Sequence, residues 1–377
     1  MTTSTKAALA VAVAAALSAP TAFATNGYFA HGYGTKNKGL AGGGIALPQD
    51  AMHAATNPAG MVFVGDRMDF GAAIFSPRRE YIVNGNPSGN GPPVFPLEPG
   101  NVESDSEYFL IPHFARNWML NPDSSFGVTV YGNGGMNTDY PAHANPIRSA
   151  GGCGTGTFCA GNTGVDLMQL FVNASYARKL SPSSSWGVSG IFAYQRFEAT
   201  GVSSFGGYAA DGTPDNLSNN GHDNSTGFGA KLGWQGDVAP NLTLAASYQT
   251  EIKMSAFDKY SDLFAEKGDF DIPATATIGL AFKATPTSAV TFDIQKIWYS
   301  KIKSVGNPIS YLSDQTPGGN SYALGNVARC LGGSDGAGFG WDDMTVAKLG
   351  YQWQTSPDWT WRVGYSKGDQ PIPSSEV

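Results

Sequence analysis

Apolar and polar residues alternate one for one along most of the chain after residue 65. In the clearest segment Leu242, Leu244, Ala246 and Tyr248 fall on one face, and Thr243, Ser247, Gln249, Glu251 and Lys253 on the other. Phe228, Ala230, Leu232 and Trp234 oppose Gly227, Gly229, Lys231 and Gln235 in the same way. So do Trp359, Trp361, Val363 and Tyr365 against Thr360, Arg362, Gly364 and Ser366. A period of two belongs to a β-strand with one apolar and one polar face. It predicts strands over 66–76, 106–118, 125–132, 166–180, 185–198, 226–236, 241–255, 273–284, 288–302, 342–355 and 358–367.

A soluble sandwich also alternates, but three features favour a membrane barrel. Many segments reach ten residues or more, which suits a tilted membrane strand. Trp and Tyr recur at the ends of the apolar faces, where an interfacial girdle belongs. The connections also alternate in length. Tight links fall at Asn121-Pro122-Asp123, Ser181-Pro182-Ser183, Ala239-Pro240-Asn241, Thr285-Pro286-Thr287 and Ser356-Pro357-Asp358, while the links 77–105, 133–165, 199–225, 256–272 and 304–340 are long and polar. Short periplasmic turns alternating with long outer loops are the arrangement of an outer-membrane barrel. The third strand loses its alternation at Tyr131-Gly132-Asn133-Gly134-Gly135, which reads either as a bulge or as the start of the loop. Eleven strands is an odd count where bacterial single-chain barrels have an even one, so the reading expects further C-terminal strands.

Composition agrees. Glycine makes up 49 of 377 residues, well above the usual share of about 7%. A net charge of -7 argues against nucleic acid, which needs a basic face. Lys6 followed by the apolar run from Ala7 to Leu17 and by Ala22-Phe23-Ala24 reads as a cleaved signal peptide over 1–24. Cys153 and Cys159 are close enough for a local disulfide in an exported loop, and Cys330 has no evident partner in sequence. Asp211, Asp215 and Asp223 miss the spacing of a calcium loop. No metal or cofactor is expected.

Residues 25–65 do not alternate. They are rich in Gly and Ala, include Gly42-Gly43-Gly44, and run through Gln49-Asp50-Ala51 to Asn57-Pro58-Ala59. Met52, Met61, Phe63 and Val64 call for burial, so a compact segment inside the lumen is expected. The glycine repeats, Asp50-Ala51 and Asn57-Pro58-Ala59 ahead of the first strand resemble the N-terminal hatch of the FadL-type family. Trp341-Asp342-Asp343, Asp358-Trp359-Thr360-Trp361-Arg362-Val363-Gly364-Tyr365 and Asp369-Gln370-Pro371-Ile372-Pro373 resemble its tenth and eleventh strands. The resemblance spans 25–377 in matching order.

That resemblance implies an all-β transmembrane antiparallel barrel of about fourteen strands, with a hatch over 25–65 and the barrel over 66–377. It implies passive uptake of long-chain fatty acids or related hydrocarbons, and a lateral exit into the bilayer at Gly132, Asn133 and Gly134. The inward-facing Lys231, Lys253 and Arg362 are candidates to meet a carboxylate; ordinary lumen charge balanced by Glu251 and Asp293 is the bland alternative. The loop 199–225 is shorter and more polar than the family's capture loop, so Phe257, Tyr260 and Phe264, after Ser255 as a possible N-cap, are the candidate surface for first capture. The expected surroundings are outer-membrane lipid and lipopolysaccharide, around a monomer with a hydrophobic ligand. An open porin and a barrel enzyme acting on lipids are the rivals. No nucleophile elbow or His-Glu-x-x-His supports the enzyme, and the five histidines are scattered.

Overall fold

The computed structural model describes residues 25–85, 97, 99–143, 155–212, 214–312 and 327–376. The predicted signal peptide and Cys153 lie outside the described residues.

The alternating segments form one antiparallel sheet in chain order, a nearly closed barrel. Its strands are β1 (Arg67–Phe75), β2 (Phe109–Asn121), β3 (Ser124–Tyr140), β4 (Thr163–Ser181), β5 (Ser184–Thr200) and β6 (Asp223–Ala239). They continue as β7 (Leu242–Gln249), β8 (Thr275–Thr285), β9 (Ser288–Ile297), β10 (Met344–Ser356) and β11 (Trp359–Gly368). Among the described residues β1 pairs only with β2, and β11 only with β10. The predicted strands all exist, but three of the eleven segments end elsewhere: the seventh stops at Gln249 rather than 255, with Lys253–Met254 a separate short pairing. The third continues to Tyr140 rather than stopping at 132, and the ninth gives way after Ile297 to a 3-10 turn over Tyr299–Lys301.

Burial is inverted relative to a soluble protein. Phe70, Ile74 and Phe228 are 75% or more exposed, while Asn117, Thr129, Gln169, Asn173, Ser189, Gln195 and Thr291 on the opposite faces are all within 1% of full burial. Water would tax that arrangement by about 25 cal/mol per Å² of apolar surface, so this outer face requires hydrocarbon. Trp118, Trp186, Trp234, Trp353, Trp359 and Trp361 lie exposed or half-exposed toward the ends of strands that meet at the tight links, the position of an interfacial girdle. Each tight link carries a one-residue register shift. The extra residue in three of them, Leu120, Leu180 and Val238, points outward.

Three outer loops interlock at the other end. Leu331 pairs with Ala209 as an isolated parallel bridge, Glu266 N donates to Gly333 O (2.7 Å), and Asn216 N donates to Asp262 Oδ2 (2.9 Å). Between 77 and 105 a further short hairpin joins Glu80–Val83 to Gly100–Glu103. Cys159 is disulfide-bonded, and Cys330 is buried.

Candidate functional site

The segment 25–65 packs against the inner wall, and its local structure follows from two side chains that cap short 3-10 turns. Asp50 Oδ1 accepts from Met52 N (3.1 Å) ahead of Ala51–Ala55. Asn57 Oδ1 accepts from Ala59 N (3.0 Å) ahead of Pro58–Phe63, with Pro58 at the first position, where a missing N–H is harmless. The other end of the Asn57 amide donates to Ile45 O (3.2 Å) and to Trp234 O on β6 (3.3 Å). Ser185 on β5 donates to Ala59 O (2.7 Å). Glycines in the wall permit this approach. A Cβ on Gly187 would lie 2.5 Å from the Pro58 carbonyl carbon, and one on Gly233 would lie 2.0 Å from Asn57 Oδ1. His53 is enclosed beside Gly60, and burial lowers its imidazole to about 4.

Further round the wall, Asp293 on β9 accepts from Ile45 N (3.0 Å), and Lys348 on β10 donates to Gly42 O (3.2 Å). Gln49 spans the two ends of the sheet: its Oε1 accepts from Arg362 on β11 (3.0 and 2.7 Å), and its backbone oxygen accepts from Arg67 on β1 (3.3 Å).

The wall itself is interrupted beside β3. The β2–β3 ladder runs from Asn121–Ser124 to His113–Tyr131 and stops. Both strands continue without each other: β2 stays on β1 as far as Phe75–Phe109, and β3 stays on β4 as far as Tyr140–Thr163. Against β4 the register shifts between Gly132 and Gly134, leaving Asn133 as an extra residue, so the glycine run is a bulge inside a strand and not the start of a loop. On its open side β3 meets the N-terminal segment. Phe29 pairs with Gly134, and Gly135 N donates to Tyr28 O (2.8 Å). Gly134 suits this contact because a Cβ there would sit 1.9 Å from Tyr28 O.

The three candidate cations part company. Lys231 is buried in the wall and donates to Ala55 O, and Arg362 is held by Gln49. Lys253 faces outward, with its side chain 76% exposed, and binds Glu251 (2.7 Å) and Asp271 (2.5 Å). Its expected inward position fails because the partner offset changes from Lys231–Gln249 to Phe228–Lys253, which inserts one residue and turns the strand over. Lys231 instead shares a polar cavity with Asp293, Gln249, Gln295 and Lys348, and this cavity reaches Asn133. Lys348 was legible as an inward position of β10, between Ala347 and Leu349, and sequence reasoning passed over it.

The proposed capture aromatics are not at the surface. Phe257 and Tyr260 are fully buried and Phe264 nearly so, packed around Phe197 at ring distances of 5.6, 4.9 and 4.7 Å. Ser255 does not cap the turn. Its hydroxyl accepts from Thr226 N (3.0 Å), and Asp258–Tyr260 starts after Phe257 with no side-chain cap. In the same loop, burial and the neighbouring Asp271 raise the Asp269 carboxyl to about 7.

The chain resembles known proteins over nearly its whole length. It is 24% identical to the long-chain fatty acid transport protein of Escherichia coli (strain K12), covering 98% of this chain and 83% of that one. The protein of the same name from Salmonella typhi is 25% identical with the same coverage. The toluene transporter TbuX of Ralstonia pickettii has the same fold, with a TM-score of 0.61 at 16% identity over 90% of this chain and 87% of that one. A Pseudomonas aeruginosa FadL homologue has it at 0.59 and 13%, over 92% and 82%. The family model for outer membrane protein transport proteins (OMPP1/FadL/TodX) matches residues 11–377, and the chain belongs to that family of Gram-negative outer-membrane transporters of hydrophobic substrates.

Proposed function

We propose that the protein takes up long-chain fatty acids or related hydrocarbons by passive diffusion, with residues 25–65 as a hatch in the lumen and a lateral exit into the bilayer between β2 and β3. The observation that carries this reading is the end of the β2–β3 ladder at Tyr131, beside the extra residue Asn133. Unpaired backbone facing hydrocarbon costs several kcal/mol per group, so an interrupted ladder in a membrane wall calls for a use. An opening there lets an apolar cargo pass sideways into lipid without crossing water. The names of the relatives support the same class of cargo: fatty acids for the protein of Escherichia coli and toluene for that of Ralstonia pickettii.

Within the lumen, Lys231 with Lys348 is the pair placed to meet a carboxylate head, since both line the cavity that reaches the bulge. Arg362 is the weaker candidate because it is held by Gln49 and does not line that cavity. The open-porin reading is disfavoured by the dense contact between 25–65 and the wall. Neither the histidines nor the hydroxyls of the described residues suggest an enzyme.

The test is removal of Asn133 alone, which lets Gly132–Leu170 and Gly134–Gln169 follow each other in regular register. The variant should fold, as judged by heat-modifiable migration, and lose uptake of a fluorescent long-chain fatty acid into liposomes. Normal uptake by the folded variant would place the exit elsewhere.

A further inference from the structure

Inside the barrel, four polar side chains form a single file. The Tyr33 hydroxyl donates to Asn133 Oδ1 (2.8 Å), and Asn133 Nδ2 donates to Gln169 Oε1 (2.9 Å). Gln169 Nε2 then donates to Gln195 Oε1 (2.8 Å), and Gln195 Nε2 donates to the backbone oxygen of Phe270 (2.8 Å). Asn133, Gln169 and Gln195 are all within 1% of full burial. The file runs across β3, β4 and β5, from the N-terminal segment and the bulge at one end to the outer loop 256–272 at the other.

Its direction is dictated by its last member. A backbone carbonyl can only accept, so Gln195 must present its NH₂ to Phe270 and its oxygen to Gln169. That forces Gln169 to present its NH₂ to Gln195 and its oxygen to Asn133, and Asn133 in turn to offer its oxygen to Tyr33. No single amide can turn without leaving a buried acceptor facing another acceptor, which is the expensive outcome for a polar group out of water. The Phe270 ring holds that carbonyl in place by packing on Phe264 (4.8 Å) and Phe339 (6.4 Å) of the outer cap and on Tyr28 (5.8 Å) of the N-terminal segment.

We propose that Gln169 and Gln195 are positioning residues that make the state of the β3 bulge depend on the seating of Phe270 in the outer cap. The two sites are the aromatic cluster around Phe270 and the bulge at Asn133; the element with two states is the amide file. With Phe270 seated, the file is complete and Asn133 is held inward against Gln169. With Phe270 displaced by an apolar molecule entering the cluster, Gln195 loses its acceptor, the file can reorient, and the bulge is released on the side where Phe29 pairs with Gly134. The coupling is reciprocal, so loosening the bulge also loosens Phe270. This inference rests on the lateral-exit reading for its purpose, though its physical content, a link from loop to bulge, stands apart from transport.

The experiment measures amide hydrogen exchange over 131–140 in the full chain, reconstituted in liposomes. Gln195→Met removes the hydrogen bonds at nearly constant volume, on a strand that does not touch β3. Exchange over 131–140 should rise about tenfold, the scale of one lost buried hydrogen bond, and Gln169→Met should do the same. Ser189→Ala is the control, because it breaks another buried bond between β5 and β4, to Ser175 (2.7 Å), that is not part of the file. It should leave 131–140 unchanged. An unchanged rate in Gln195→Met, or an equal rise in Ser189→Ala, overturns the proposal. Uptake by the Asn133 deletion is read separately: normal uptake there sinks the exit, while the exchange result still decides the coupling.

Discussion

At the scale of single residues, the inverted burial gives the sharpest test. Leu244 lies on the outer face of β7 and Gln249 on the buried inner face. Nearer mid-bilayer, Phe228 on β6 faces outward at 75% exposure, six residues beyond the Trp234 girdle, so Phe228→Arg should cost about 2–4 kcal/mol in a folding titration and Phe228→Leu almost nothing; no loss with arginine would reverse the assignment of faces. Asn57 offers a second test, since one amide caps Pro58–Phe63 and ties Ile45 and β6 together. Asn57→Ala should destabilise the docked segment by about 1–3 kcal/mol while the wall stays intact, seen as faster proteolysis within 25–65 and no change in heat-modifiable migration. The facing of Leu244 was legible because period two reports it directly. That of Lys253 was not: one inserted residue between Gln249 and Lys253 flips the face, and the sequence Thr250-Glu251-Ile252 gives no sign of it.

At the scale of elements, strand existence was readable and strand ends were less so. The segment after Tyr131 contains Gly132, Asn133, Gly134 and Gly135, which suit a loop, yet β3 continues to Tyr140 because β4 offers it a partner throughout. Sequence gives propensity, while pairing is decided by a neighbour far along the chain. The aromatics Phe257, Tyr260 and Phe264 mislead for a similar reason: their spacing looks the same whether they face water or Phe197. The loop that contains them should respond to pH. Because the Asp269 carboxyl is raised to about 7 by burial and by Asp271, its stabilising contribution is complete below the ordinary aspartate value and is lost as pH rises through about 7. Amide exchange across 256–272 should thus quicken between about pH 5 and about pH 8, once corrected for the intrinsic rate, and Asp269→Asn should abolish that change. A wild-type loop with no such dependence would remove Asp269 from the account.

At the scale of the whole molecule, the segment 25–65 reaches both ends of the sheet. If it is a hatch, deleting residues 25–60 should raise single-channel conductance, whereas unchanged conductance would show that it does not block the lumen. Its density of contact also bears on assembly. Gln49 binds Arg67 at the start of the wall, 18 positions away, but Arg362 near its end lies 313 positions away, and Lys348, which meets Gly42, lies 306 away. Contacts that distant form late, because the intervening loop must close before they give anything back. If residues 1–24 are a cleaved signal, part of the first stretch to leave the export machinery is consequently among the last to find its place. Met52, Met61 and the Ala-rich turns around them find cover on β1 to β6, but Leu40, buried against Gly350 and Gly364, stays without it until β10 and β11 arrive, so in the periplasm the glycine-rich stretch around Leu40 is the one most in need of an escort.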